Sequence, residues 1–189
     1  MSRLIKKSPD ELDPKQREQY DRILKFRKPL DDGTIGGPFD PLILNPELAK
    51  RAVSWGNALW ERASIGRRLV ELAIIVTARF WESNVEWVSH AKLALDNGIS
   101  QVVIDAVFEV RRPDMAPADE LLVYDICMAL HKTHQLPMDL YNQAVESFGE
   151  VGLVDIIATI GYYTFIAMTL NAFDIGLFDG SKGPFPLQK

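Results

Sequence analysis

From Val151 to Phe173 the chain runs 23 residues with a single charge, Asp155. A helix of that length is long enough to cross a bilayer. Gly152, Thr159, Gly161, Thr164, Thr169 and Asn171 interrupt the stretch, and no Lys or Arg flanks it closely, which argues against a span. The remaining way to satisfy a helix that is apolar all round is to bury it, as the centre of a helical domain or as a subunit contact. No membrane partner is expected.

A second stretch makes the same demand. Leu69, Val70, Ala73, Ile74, Val76 and Ala78 are near-continuously apolar within Ser64 to Trp81, the mark of another core helix. Around these two, helical text is nearly unbroken. Asn45-Pro46-Glu47 reads as N-cap, N1 proline and early acid of a helix reaching about Arg62. Asn84 to Asp96 is a helix stopped by Asn97-Gly98. Further helices are read from Ser100 to near Arg112, Ala118 to His131, Pro137 to Phe148, and Val151 to Phe173. No strand pair is found. The expectation is an all-α fold of seven to eight helices.

Length and composition fit one domain with extensions: 189 residues, 47% hydrophobic and 25% charged. Residues 1–34 form an N-terminal extension with one helix, Pro14 to about Lys28, preceded by a polar segment expected to be mobile. Residues 35–175 form the helical domain, and 176–189 an irregular tail. Residues 31–46, with three Gly and three Pro, are a structured loop. A net charge of −5 argues against a nucleic-acid binder, whose affinity would rest on a basic surface. One cysteine, Cys127, excludes an intramolecular disulfide framework and a zinc site of several thiolates. That free thiol, with no apolar signal-like run near the N-terminus, gives a cytoplasmic expectation.

Chemistry concentrates between residues 69 and 98. Glu71 sits in a helix otherwise apolar for ten residues. It is either a buried acid with a raised pKa suited to proton transfer, or a salt-bridge partner of Arg67 or Arg68. Ser83, Glu86 and His90 fall on one stripe of the next helix. Glu86 and His90 are an i,i+4 pair, yet Ser83-x-x-Glu86 also reads as a capping box. Trp81 and Trp87 flank this start, as a pocket wall or as core. Arg79 is the nearest candidate cation for an anionic substrate, against a plain pairing with Glu82. Ser83 and the first amides of its helix offer a second place for an oxyanion or carboxylate. His131 and His134 are a possible metal pair without an obvious acidic partner.

The run E-x11-S-x2-E-x3-H, with GPFDPLILNPELAKR before it and GYYTFIAMTLNAF late in the chain, resembles the carboxymuconolactone decarboxylase family, which includes the alkylhydroperoxidase D-like proteins. In the peroxidase branch a glutamate is followed by a C-x-x-C and a histidine. Here Glu71 matches the glutamate, Ser83 and Glu86 stand at the two cysteines, and His90 matches the histidine. Thiol-based peroxide reduction needs both sulfurs, so the resemblance implies the decarboxylase side. It implies an oligomer, trimer or hexamer, using no metal and no cofactor, acting on a small carboxylated lactone or related organic acid. His90, Glu71 and Glu86 would then be catalytic, and Arg79, Ser83, Trp87 and Trp81 substrate-binding. Competing expectations are an alkylhydroperoxidase-like oxidoreductase with altered chemistry, dependent on Cys127, and a non-catalytic oligomeric binding module.

Overall fold

The computed structural model describes residues 2–186. Its elements in chain order are a 3-10 turn, Pro9–Glu11, and eight helices: α1 Pro14–Ile23, α2 Phe39–Leu42, α3 Pro46–Arg62, α4 Gly66–Phe80, α5 Asn84–Asp96, α6 Gln101–Phe108, α7 Ala118–Thr133 and α8 Met138–Ala172. Among the described residues there is no strand.

The apolar run of α4 sets the architecture. Every residue from Leu69 to Ala78 is buried, Glu71 included. A helix wet on no side needs neighbours all round it. α4 packs against α5, α7 and α8, and also touches α3 and α6. One core lies where Leu72, Ile75 and Val76 meet Val123 and Ile126 of α7 and Ile156 of α8. A second lies where Val70 and Ile74 meet Leu59 of α3 and Tyr162, Tyr163 and Ile166 of α8. The two cores share α4, so it is the spine of the domain.

Several helix ends follow directly from local chemistry. Asp13 accepts from the N–H groups of Lys15 and Gln16 to start α1, and Asn45 accepts from Leu48 N–H at 3.2 Å to start α3. Gly98, at φ 98°, closes α5 as expected. The last two expected helices are continuous as α8 but break at Gly149, where φ 67° and ψ 172° suit glycine almost alone. α1 stops at Ile23, five residues short of the expected end.

The N-terminal segment meets the end of α8. Arg3 N–H donates to the carbonyl of Phe173 at 2.9 Å. α1 packs on α3. The loop of residues 31–46 contains α2 and is pinned by Asp40, whose Oδ1 accepts from Ile35 N–H and Gly36 N–H at 3.0 Å each. Residues 176–186 carry no helix or strand, and 187–189 of the expected tail lie outside the described residues. α8 is long and apolar enough to cross a membrane by length and composition, and half of its most apolar window is buried within the fold.

Candidate active site

α4 and α5 form a hairpin, with Trp81–Ser83 as its turn. The antiparallel return brings His90, 19 residues after Glu71, back beside it: His90 Nδ1 lies 2.7 Å from Glu71 Oε2. Glu71 is fully buried, with 0% exposure. Its other oxygen pairs with Arg67, one turn earlier on α4. A carboxylate held by a guanidinium is an acceptor only, so Nδ1 carries the proton and donates to it. That leaves Nε2 as the functional nitrogen. Of the two readings of Glu71, the salt bridge to Arg67 is the one formed, and it anchors the group that orients His90.

Nε2 lies 3.4 Å from Glu86 Oε2. Glu86 is 5% exposed and His90 7%. Both line a cavity of about 310 Å³, together with Gly56 and Trp60 of α3 and Tyr162 and Tyr163 of α8. Burial pushes the Glu86 carboxyl above its ordinary value; the charge of Glu71 adds to the rise, while His90 and Arg27 oppose it. Glu86 Oε2 makes no hydrogen bond. Glu86 and the ring nitrogen, 3.4 Å apart, form a pair that can exchange a proton with a molecule bound beside them in the cavity.

The walls are aromatic and interlocked. The His90 ring meets Tyr163 edge-on at 5.1 Å and Trp60 at 6.4 Å. Trp60 Nε1–H donates to Tyr163 Oη at 2.9 Å. The Arg67 guanidinium lies 3.3 Å from the centre of the Trp60 ring. Burial holds the Tyr162 and Tyr163 phenols well above their ordinary values, so both stay neutral. Gly56 is required here: a Cβ at that position would stand 2.5 Å from Tyr162 Oη.

The expected capping box does not form. Ser83 is the N-cap of α5 by backbone geometry, but its side chain makes no cap hydrogen bond. Its Oγ is buried without a partner, and Glu86 faces the cavity instead. The four expected substrate-binding residues do not line this cavity. Arg79 lies two turns beyond Glu71, about 12 Å along α4. Its Nε–H donates to Phe108 carbonyl at 2.6 Å and it reaches Glu82 at 3.5 Å. Trp87 follows Glu86 and so points about 100° away around the helix, into Phe108 and Phe185. Trp81 donates to Thr164 Oγ1 at 3.3 Å, and with Ser83 lines a separate recess near the end of α8. The hairpin thus splits the motif: Glu71, Glu86 and His90 converge, while Arg79, Trp81 and Ser83 sit at the turn.

Other sequence candidates resolve into structural roles. His131 turns inward, 3.1 Å from Thr77 Oγ1 and stacked on Phe80, whereas His134 is exposed at the left-handed end of α7. Among the described residues no cluster of three His, Cys, Asp or Glu is placed to hold a metal ion. Asp155 accepts from Ser64 N–H and Oγ–H at 2.7 Å each, just before α4. Cys127 is fully buried in the first core, and burial pushes its thiol well up.

No family model matches the chain, and no curated protein matches it. Solved structures do. The AhpD-core, peroxidase-related protein of Ralstonia eutropha JMP134 superposes with a TM-score of 0.74 at 16% identity, covering 93% of this chain and 91% of that one. The peroxidase-related protein of Silicibacter sp. TM1040 gives 0.70 at 13%, again covering 93% and 91%. A cysteine variant of the debrominase Bmp8, in complex with 2,3,4-tribromopyrrole, gives 0.64 at 14%, covering 86% and 85%. The fold has therefore been solved with more than one chemistry attached, and at these identities the likeness speaks for architecture. This chain has the AhpD-like all-helical fold, with Glu71, Glu86 and His90 gathered at an aromatic cavity between α3, α5 and α8.

Proposed function

We propose that this cavity is the active site of a proton-transfer enzyme of the decarboxylase kind, acting on a small carboxylated lactone or related organic acid. The observation that carries the reading is the Arg67–Glu71–His90 chain. It fixes one imidazole tautomer and leaves Nε2 on the cavity side opposite a buried Glu86.

The step is written as follows. The substrate's C–C bond to its carboxylate breaks and carbon dioxide leaves. The electron pair stays on a carbon conjugated with a carbonyl, as an enolate. The Glu86–His90 pair delivers its proton to that carbon, and solvent restores it. Glu71 keeps the ring oriented and stabilises its positive charge while it holds the proton. Tyr162, a neutral phenol whose hydroxyl makes no hydrogen bond among the described residues, is available to the enolate oxygen. Cys127, buried away from the cavity, supports a reaction without a thiolate.

The test is carbon dioxide release in deuterated water from a panel of carboxylated lactones and β-keto acids, with the His90→Ala variant alongside. Release with one deuteron placed on the product carbon, lost in the variant, is expected. Release that survives the substitution overturns the role of His90. A panel that yields nothing with either protein removes those substrate classes. The family's oligomeric habit is carried over as part of the proposal. Exposed Val151, Val154 and Ile157 on α8 support it, and light scattering in solution tests it.

A further inference from the structure

A cavity built for an organic acid needs a cation, and the expected one, Arg79, is elsewhere. The cavity lining contains one other: Arg27, which comes from the chain just after α1. Its guanidinium lies 5.1 Å from the centre of the Phe39 ring and 5.0 Å from that of Phe178. Among the described residues it makes no hydrogen bond and no ion pair. Most arginines of this chain are paired: Arg17, Arg51, Arg67, Arg68, Arg79, Arg111 and Arg112 each have a carboxylate. Arg27 is half-buried, flanked by aromatic rings, and keeps its forked donors unused at the cavity.

The segments that place it are fitted to one another. Gly36 and Gly37 have positive φ, 80° and 58°, and a Cβ on either would press on the Phe178 ring at 2.9 and 3.2 Å. Phe178 comes from beyond α8, so chain from both ends of the molecule closes over the same cavity. Arg27 feels the charge of the buried Asp40 most and that of Glu86 next, and Glu86 feels Arg27 in turn. The arrangement of Arg27 and Glu86 is asymmetric in a useful way: an acid driven toward its neutral form does not repel an anion, and a guanidinium cannot lose its charge.

We propose that Arg27 is the specificity-determining residue of this cavity, holding a carboxylate of a flat substrate by a two-point hydrogen bond. This rests on the cavity being the active site, and it names the substrate class: a planar ring compound with a carboxylate that stays bound during proton transfer. Because that carboxylate stays, the one lost as carbon dioxide is a second, and the substrate is a dicarboxylate. The aromatic slot selects planarity and the fork selects carboxylate over amide or alcohol.

The experiment is a binding measurement, independent of turnover. Benzoate and benzamide, equal in shape and differing in charge, are titrated into the full-length protein by calorimetry. Wild type is expected to bind benzoate at least tenfold more tightly than benzamide. Arg27→Gln should erase that preference, and Arg27→Lys, which keeps charge without the fork, should retain a reduced one. His90→Ala should leave it in place, which separates this proposal from the catalytic reading. Equal binding of the two probes by wild type overturns the proposal. So does a benzoate preference that survives in a folded Arg27→Gln protein. If Arg27→Gln does not fold, an Arg27→Lys preference as large as wild type overturns the two-point bond.

Discussion

Replacing Glu71 by Gln leaves shape almost unchanged and removes one buried charge, so its effect isolates electrostatics. The Gln oxygen can still accept from His90 Nδ1–H, but its amide then faces the Arg67 guanidinium, donor against donor. Removing one partner of a buried pair generally costs about 3–5 kcal/mol. Arg67 softens this, because its side chain is 21% exposed and its guanidinium keeps the face of Trp60. The expected loss is therefore about 2–3 kcal/mol, below the fully buried range. For a chain of this size that is a fall in Tm of roughly 5–10 °C. Urea unfolding should show the midpoint moving with no change in slope. Adding Arg67→Met removes the stranded guanidinium, and the double variant should recover at least half of the loss, a coupling expected of residues in direct contact. If Glu71→Gln stays within about 0.5 kcal/mol of wild type, as an ordinary surface change would, the anchored-chain account is wrong. It is equally wrong if the double variant loses the sum of the two single losses.

Three further outcomes follow from the same geometry. Glu86→Gln should abolish turnover yet raise Tm at pH 8, because burial raises the Glu86 pKa and its ionised form therefore destabilises the fold at high pH; the gain should vanish below about pH 4.5, where Glu is neutral in both states. A loss of stability instead would return Glu86 to a capping role. His131, its pKa lowered by burial to about 4, favours the fold fully above its unfolded value of 6.5 and loses that contribution as the pH falls through 4. Stability measured from pH 7 to 4 should contain a fall of about 3 kcal/mol that His131→Gln removes, and an unchanged slope in the variant would refute it. Gly149→Ala should cost about 1–3 kcal/mol from backbone conformation alone, since a Cβ there meets nothing within 4 Å; unchanged unfolding would mean that α8 is not broken at this residue.

The helices were readable because their causes are local. Pro46 behind Asn45, Gly98 after Asn97 and the apolar runs of α4 and α8 each act within a few residues. Glu71 and His90 were singled out as catalytic through the family resemblance, and their contact comes from two helices joined by a tight turn running back along each other. Glu86 was ambiguous: Ser83-x-x-Glu86 is a good local cap, and only the pull of a buried cavity beside His90 decides which way the side chain turns. Arg79 and Trp81 were drawn into the site by closeness in sequence, which at a helix hairpin is closeness to the turn and distance from its open end.

What the sequence by itself determined is the set of helices and the core role of α4, since periodicity and short-range capping act along one segment. What only the tertiary structure decided is the cavity. Trp60 and Tyr163 touch across 103 residues, and Arg27 meets Phe178 from opposite ends of the chain. Such contacts are fixed by how helices of given length and phase pack around α4, and no spacing within a single segment encodes them.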